Sequence, residues 1–274
     1  MTAKIIRMVT KDSLRLDGLL WLPSDKAGSP RPSHKRRLDK NLAFARTSGA
    51  CIIHVHGTSS DFYRTEYFEA MSEGYTSAGW AFLTFNNRGS GTEYAFKTVV
   101  DGKIGKSVAI GSKNEIFEDC LIDIQTAVDF ALAQGFSEIV LQGHSYGCNK
   151  VVFYAIEKGF RGKVVLLAPC DVADVNRNSR KGREKNWQSR EPKNLDLFRY
   201  RDKKVHPRVR ELLNDILIQI GTEDACIDQP PAECVDYLVR AFESAKVTAD
   251  IIEGADHNYV GCDGELVRNI LGWL

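Results

Sequence analysis

The alternation of short apolar runs with helical stretches is the feature that most constrains how this chain can fold. From residue 50 onward, the runs IIHVH, AFLTF, IVLQ, VVLLA and ILIQI are nearly continuous in apolar residues, and segments of helical period lie between them. Strands that are apolar on both faces are typical of parallel sheets whose two faces are covered by helices. The pattern therefore predicts an α/β protein with a mostly parallel sheet.

Eight segments have the strand pattern and five have the helical one. A short polar turn joins the first two strands, which predicts an antiparallel pair at the edge of the sheet. The predicted strands are 4–9, 14–22, 50–56, 80–86, 138–142, 163–168, 215–220 and 247–252, and the predicted helices are 66–78, 116–134, 149–158, 231–244 and 264–274.

Three segments fall outside this alternation. Residues 24–48 are rich in Pro, Lys and Arg and are predicted to form a long excursion, while residues 94–112 have the glycine spacing of an irregular loop. Residues 171–214 are longer than a connection in an α/β unit needs, which predicts a cap or lid. The expected organisation is one core, formed by residues 1–170 and 215–274, with residues 171–214 as the inserted cap.

Charge and cysteine usage narrow the class of protein. Lys and Arg number 37 and Asp and Glu 36, so the net charge of +1 provides no global field for binding nucleic acid. The seven cysteines are odd in number, have no CxxC spacing and lie mostly in apolar runs, as reduced cysteines do. No apolar run has the roughly 18 residues of a membrane span, and no signal peptide is evident. A cytoplasmic protein with no membrane partner is expected.

The sharpest local motif is GHSYG at residues 143–147, which lies directly between the apolar strand EIVLQ and the helical segment NKVVFYAIEK. A serine at the tip of such a tight strand-to-helix turn has an exposed hydroxyl, and the flanking glycines let the backbones pass closely. The amide of Tyr146 then lies at a helix N-terminus, which favours a developing oxyanion. Ser145 is therefore the predicted nucleophile.

A serine nucleophile needs a base, and the base needs an acid that orients it. His257 in GADHNY follows the last predicted strand, and Asp224 in GTEDACI follows the strand before it, so both lie at carboxyl ends of strands. Glu223 and Asp228 are alternatives for the acid. The order Ser145, Asp224, His257 is one that serine hydrolases with this strand-to-helix turn use.

These motifs resemble those of α/β-hydrolase fold serine hydrolases over residues 50–274, through HVHGTS, NNRGSG, GHSYG, GTED and GADHNY. The similarity is greatest to the esterase, lipase and serine aminopeptidase-like branch. It implies an eight-stranded sheet with an inserted cap, an oxyanion hole formed by the amides of Thr58 and Tyr146, and a structural role for the NNRGSG turn. Ser145 stands where haloalkane dehalogenases and epoxide hydrolases have aspartate, which disfavours those activities.

Two other motifs have competing interpretations. His54 and His56 form an HxH pair whose side chains would point the same way on a strand, as metal ligands do. No second ligand motif completes a metal shell, so no metal site is expected. Cys148 follows the nucleophile by three residues and is predicted to be a small buried helix residue rather than a catalytic thiol.

The predicted function is hydrolysis of a carboxylic ester, or of a thioester or lactone, through an acyl-enzyme on Ser145 without any cofactor. An acyltransferase or cyclase would use the same triad, and a non-enzymatic ligand-binding protein on a hydrolase scaffold is a further alternative. Segments 24–48 and 171–214 carry net charges of about +5 and +6, which leaves about −10 for the rest. This distribution is compatible with a small-molecule acyl substrate that is anionic or carrier-bound. The sequence does not determine the oligomeric state.

Overall fold

A computed structural model of the chain describes residues 1–24, 49–169, 198–199, 204–205, 207–227, 229–243 and 245–274. The predicted excursion at 24–48 lies outside the described residues except for its first residue. Most of the predicted cap at 171–214 also lies outside them, so the cap and its boundaries stay a prediction.

The described residues form twelve strands and five α-helices, and all eight predicted strands and all five predicted helices are among them. Two short 3-10 helices, Phe117–Asp119 and Pro207–Glu211, accompany them. The strands are β1 (Thr2–Val9), β2 (Leu14–Leu22), β3 (Ala50–Val55), β4 (Ala81–Phe85), β5 (Ala95–Val100), β6 (Lys103–Ala109), β7 (Glu138–His144), β8 (Val164–Leu167), β9 (Phe198–Arg199), β10 (Lys204–Val205), β11 (Asp215–Gly221) and β12 (Lys246–Ile252). The helices are α1 (Tyr67–Ser77), α2 (Cys120–Ala133), α3 (Tyr146–Lys158), α4 (Pro231–Ala241) and α5 (Asp263–Trp273).

Ten of these strands form one sheet in the order β12, β11, β8, β7, β3, β4, β2, β5, β6, with β1 paired to β2. Strands β12, β11, β8, β7, β3 and β4 run parallel to one another. The antiparallel pairs involve β1, β2, β5 and β6. The mostly parallel α/β sheet predicted from the sequence is confirmed, and so is the antiparallel pairing of its first two strands. β1 lies at an edge of the sheet, whereas β2 also pairs with β4 and β5.

The main sheet has two strands more than the eight predicted, and both come from the segment that was expected to be an irregular loop. Within residues 94–112, the strands β5 and β6 form a hairpin. Its turn is Asp101-Gly102, and both residues have positive φ, 50° and 72°. An Asp-Gly pair between two β-rich runs is a strong signal for a two-residue hairpin, so the prediction of an irregular loop at 94–112 was wrong.

Helices cover both faces of the sheet, as predicted. Successive residues of a strand point to opposite faces, so neighbouring strand residues pack against different helices. Ile53 and Leu141 pack into the hydrophobic cluster that contains residues of α2, α3 and α4. Their chain neighbours Ile52 and Val140 pack into a second cluster, which contains residues of α1 and α5. The parallel strands are thus apolar on both faces, and their carboxyl ends meet at one edge of the sheet.

Every α-helix in the described part of the chain is too short or too polar to span a lipid bilayer.

Candidate active site

The turn between β7 and α3 holds Ser145 in a backbone conformation that L-residues rarely adopt, with φ 55° and ψ −127°. The packing around it is close, because a Cβ added to Gly143 would lie 2.6 Å from the Gly147 carbonyl oxygen, and one added to Gly147 would lie 2.0 Å from the Val55 carbonyl oxygen. Within residues 143–147, only the Ser145 side chain is partly exposed. Such backbone strain is typical of functional sites, and here it directs one hydroxyl out of the sheet.

Asp224 and His257 are in direct contact at the same edge of the sheet. His257 Nδ1 lies 2.9 Å from Asp224 Oδ1 and 3.0 Å from Asp224 Oδ2. The carboxylate is buried, and the imidazole is partly exposed. Since a carboxylate can only accept, the Nδ1 atom carries the proton, which leaves Nε2 of neutral His257 as an acceptor.

The two loops that carry this pair are tied together by their backbones. The Thr222 amide donates to the Ile252 carbonyl at 3.1 Å, and the Glu223 amide donates to the Ala255 carbonyl at 2.9 Å. The Gly254 amide donates to the Thr222 hydroxyl at 2.8 Å. These bonds extend the parallel pairing of β11 and β12 into the loops, so the Asp224–His257 contact is set by the sheet rather than by two independent loops.

His144, which sequence reasoning did not select, holds the backbone of His257 in place. Its Nε2–H donates to the His257 carbonyl oxygen at 2.7 Å. Burial lowers the pKa of His144 to about 3, so the ring is neutral. Its position inside the GHSYG motif was visible in the sequence, but its partner is 113 residues away and no local pattern indicates it.

Cys226 is a second neighbour that sequence reasoning did not select. Its amide donates to Asp224 Oδ1 at 2.9 Å, which helps to fix the carboxylate. Its thiol is half-buried, and the sulfur lies within 4.8 Å of a ring nitrogen of His257. Burial disfavours protonation of His257, but the hydrogen bonds to Asp224 and Cys226 outweigh it and raise the pKa of the imidazole.

The two residues expected to supply oxyanion amides both lie beside Ser145. A Cβ added to Gly57 would be 2.8 Å from Ser145 Cβ and 3.2 Å from its Oγ, so the turn after β3 lies directly against the serine. Thr58 is the next residue of that turn and is half-buried. Tyr146 is the first residue of α3, and first-turn amides of a helix have no acceptor within the helix.

His56 supports this turn from below. Its Nδ1–H donates to the Gly57 carbonyl oxygen at 2.8 Å, and its Nε2 accepts from the Ser90 hydroxyl at 2.8 Å and from the Asn87 amide at 3.2 Å. Burial and the charge of Lys150 lower the pKa of His56 to about 3, which keeps it neutral. The His56–Ser90 pair is a second serine–histidine contact, but Ser90 is fully buried. The pair therefore anchors the NNRGSG turn to β3, in line with the structural role that the resemblance implies.

Beneath the turn lies a buried ionic network that sequence reasoning missed. Lys150 is fully buried, forms an ion pair with Glu115 and donates to Asn87 Oδ1 at 2.9 Å. Its ammonium also lies 5.5 Å from the centre of the Tyr146 ring. Arg88 is buried among three carboxylates, those of Asp12, Asp119 and Asp123. Lys150 thus lies against the ring of Tyr146. It is connected to the turn that carries Thr58 through Asn87, which is hydrogen-bonded to His56.

Two other candidate residues, His54 and Cys148, are buried within the protein. His54 Nδ1 accepts from Gln142 Nε2 at 2.8 Å, between neighbouring strands of the sheet. Cys148 is fully buried, as predicted, and donates to the backbone carbonyls of Gly143 and Leu167 beneath the turn. Of the alternative acids, Glu223 is exposed, and Asp228 lies outside the described residues.

Comparison with known proteins bears on the fold. Neither models of known protein families nor curated proteins match the sequence. Solved structures do match: an esterase from Pyrococcus furiosus, Pf2001, has a TM-score of 0.66 at 14% identity and covers 100% of this chain and 90% of its own. Est1E from Butyrivibrio proteoclasticus, solved with ferulic acid bound, has a TM-score of 0.64 at 17% identity over 98% of this chain and 97% of its own.

A third similar structure, XC6422 from Xanthomonas campestris, is described as an α/β serine hydrolase without a lid. It has a TM-score of 0.61 at 13% identity and covers 100% of this chain and 94% of its own. At this level of identity the likeness shows the fold alone. The sheet order, the helices on both faces and these neighbours agree that the chain has the α/β-hydrolase fold.

Proposed function

We propose that this protein is a serine hydrolase that cleaves a carboxylic ester through an acyl-enzyme on Ser145. The observation that carries the proposal is the contact of His257 Nδ1 with both carboxylate oxygens of Asp224, at 2.9 and 3.0 Å. The pair lies at the same edge of the sheet as the strained turn that exposes Ser145. A nucleophile, a base and an orienting acid are the three groups that acyl transfer requires.

In the proposed reaction, His257 Nε2 takes the proton of the Ser145 hydroxyl while the serine oxygen attacks the ester carbonyl carbon. Asp224 holds the proton on His257 Nδ1 and stabilises the imidazolium that forms. The amides of Thr58 and Tyr146 donate to the oxyanion. Collapse of this intermediate releases the alcohol, which takes its proton from His257 and leaves the acyl-enzyme.

Water then enters the second half of the reaction. His257 takes one of its protons as the water oxygen attacks the acyl carbon, and the carboxylic acid leaves as Ser145 regains its proton. The Asp224–His257 pair is preorganised, because loop bonds and His144 already hold the two residues in contact. Thioesters and lactones would form the same acyl-enzyme.

The name of a similar protein supports an ester substrate, and the free cysteines support the proposed compartment. One of the structurally similar proteins, Pf2001, is named an esterase, which favours an ester as the acyl donor. All six cysteines in the described residues are free thiols, which fits the proposed cytoplasmic location. The expected substrate stays a small acyl compound.

The test is the Ser145→Ala variant, assayed with short p-nitrophenyl esters and with a fluorophosphonate probe. We expect kcat to fall by about 10⁴-fold or more and labelling to disappear, while circular dichroism stays unchanged. Ser137→Ala is the matched control, because Ser137 is exposed and precedes the amino end of β7; it should keep full activity and labelling. Undiminished labelling of Ser145→Ala would refute the proposal.

A further inference from the structure

Three side chains with different donor atoms converge beside the proposed base. A carboxylate oxygen of Asp224, the sulfur of Cys226 and a ring nitrogen of His257 all lie within 4.8 Å of one another. Asp224 is buried, whereas Cys226 and His257 are partly exposed. The cluster thus combines a buried carboxylate with a thiol and an imidazole that are partly accessible to solvent.

The backbone explains why these side chains converge. Asp224 and Cys226 are two residues apart in a turn in which the Cys226 amide donates to Asp224 Oδ1 at 2.9 Å. His257 comes from the neighbouring loop, which is held against this turn by the bonds from Thr222 and Glu223 to the β12 side. All three ligands are therefore presented by backbone that the β11–β12 pairing already orders, so little ordering is needed on binding.

We propose that Asp224, Cys226 and His257 form an inhibitory site for a thiophilic divalent cation of the Zn²⁺ type. Zn²⁺ combines thiolate, imidazole and carboxylate ligands, and three protein ligands with one open position form a common tetrahedral arrangement. Tetrahedral Zn²⁺ bonds of about 2.0–2.3 Å place ligand atoms about 3.3–3.6 Å apart. The separation of 2.9 Å between Asp224 and His257 needs to widen only slightly. Mg²⁺ and Ca²⁺ prefer all-oxygen shells, so the sulfur and nitrogen select against them.

The proton balance of binding is defined. The Cys226 thiol releases one proton as it becomes a thiolate, and the proton on His257 Nδ1, which faces the carboxylate, moves to Nε2 as the metal takes the Nδ1 lone pair. The metal would thereby replace the proton that links His257 to Asp224. An imidazole bound in this way cannot receive and return the serine proton, so turnover stops while the metal is bound. This effect on turnover rests on the proposed function, whereas the binding does not.

This inference departs from the sequence-based expectation that no metal binds. That expectation concerned the HxH pair, in which both ring nitrogens of His56 and Nδ1 of His54 take part in hydrogen bonds within the protein. The cluster proposed here joins residues 33 positions apart and contains no spacing that is typical of a zinc motif.

The test uses the full chain and two metals. Zn²⁺ binding is measured by isothermal calorimetry, and Co²⁺ serves as a spectroscopic substitute because cobalt–thiolate bonds absorb in the near ultraviolet. The variant is Cys226→Ala, and the matched control is Cys262→Ala, since Cys262 is the other partly exposed cysteine of the described residues. We expect the variant to lose affinity for Zn²⁺ by more than about 100-fold and to lose the thiolate band, and the control to match the unmodified protein.

The same proteins are assayed for esterase activity with and without Zn²⁺. Zinc at a concentration that halves the activity of the unmodified protein and of Cys262→Ala should leave the residual activity of Cys226→Ala unchanged. Equal Zn²⁺ affinity of Cys226→Ala and the unmodified protein, or a Co²⁺ complex without a thiolate band that depends on Cys226, would overturn the proposal. A chain that shows the band but no esterase activity would refute the proposed function and leave the metal site intact.

Discussion

Two neighbouring histidines, His54 in β3 and His56 directly after it, are buried and neutral. Burial is the main reason that the pKa values of both rings lie below their ordinary value. Each ring nitrogen that accepts a hydrogen bond would have to give it up on protonation: His54 accepts from Gln142, and His56 accepts from Ser90. The folded structure thus favours the uncharged form of both imidazole rings.

This predicts a loss of stability in mild acid. Both rings have a lower pKa in the folded state than the value of about 6.5 in the unfolded chain, so the unfolded state takes up more protons as the pH falls below 6.5. Each histidine then lowers the free energy of unfolding by about 1.4 kcal/mol per pH unit. The stability is fully present above pH 6.5.

Urea unfolding between pH 7.5 and 5.5 measures this effect. His54→Asn removes one titrating group and keeps an oxygen that can accept from Gln142. Its free energy of unfolding should depend less steeply on pH than that of the unmodified protein, by about 1.4 kcal/mol per unit below pH 6.5. Identical slopes for the two proteins would show that His54 does not set the acid sensitivity.

Among the elements, helix α3 carries a buried lysine, Lys150, that joins it to Glu115 after β6 and to Asn87 in the turn after β4. Replacing Lys150 by Met leaves Glu115 buried without its cation, which costs about 3–5 kcal/mol in comparable cases. We therefore expect Lys150→Met to be strongly destabilised in denaturant unfolding. Adding Glu115→Gln should restore part of the loss, because it removes the unpaired charge.

The control for this prediction is Lys158→Met, at the exposed end of the same helix. Its stability should stay within about 0.5 kcal/mol of the unmodified protein. If Lys150→Met were equally benign, the ion pair with Glu115 would not contribute to the stability of the site.

The ends of β11 and β12 depend on a close approach at Gly221. A Cβ at this position would lie 2.0 Å from the Ala255 carbonyl oxygen, so Gly221→Ala must push apart the loops that carry Asp224 and His257. We expect kcat/KM for a p-nitrophenyl ester to fall by about 100-fold or more and the stability to fall by about 1–3 kcal/mol.

Gly272→Ala is the matched glycine control. Gly272 lies in α5, and a Cβ there would meet no atom within 4 Å. This variant should keep its activity and gain up to about 1 kcal/mol of stability, because alanine favours a helix. Full activity of Gly221→Ala would contradict the view that the paired strands set the Asp224–His257 contact.

At the scale of the whole molecule, charge is unevenly distributed along the chain. The net charge of +1 is the difference between two basic segments, 24–48 and 171–214, and an acidic remainder. A local positive field attracts anionic substrates over about one Debye length, which shrinks from about 30 Å at 0.01 M salt to 3 Å at 1 M.

We therefore expect kcat/KM for an ester with a carboxylate in its acyl group to fall by about 10-fold over this range of salt. A neutral ester of the same acyl length should change by less than about 2-fold. A salt series with both esters measures the difference, and parallel curves would show that the basic segments do not steer the substrate.

Local patterns were sufficient for the main features of the fold and for most of the candidate site. Five of the eight predicted strands exist because long apolar runs have few alternatives to a sheet buried on both faces. Ser145, Asp224 and His257 each follow a predicted strand, so strand ends alone indicated their common edge. The hairpin of β5 and β6 is also predictable from Asp101-Gly102, because this pair favours a two-residue turn.

Other residues could not be found in this way because their partners are distant in sequence. A cysteine in an apolar loop reads as a core residue, and only the β11–β12 pairing brings Cys226 beside His257. A lysine in a helix reads as a surface residue until its helix is packed on Glu115 and Asn87, as Lys150 is.

The sequence by itself determined the sheet class, the order of strands and helices and the position of the strained serine turn, because each depends on local periodicity and on residues adjacent in the chain. Only the tertiary structure decided which carboxylate contacts His257. It also decided that His144 holds the backbone of His257 and that Cys226 lies beside the His257 ring. These contacts arise from the pairing of parallel strands and from the burial of polar groups. Both bring together residues that no local pattern connects.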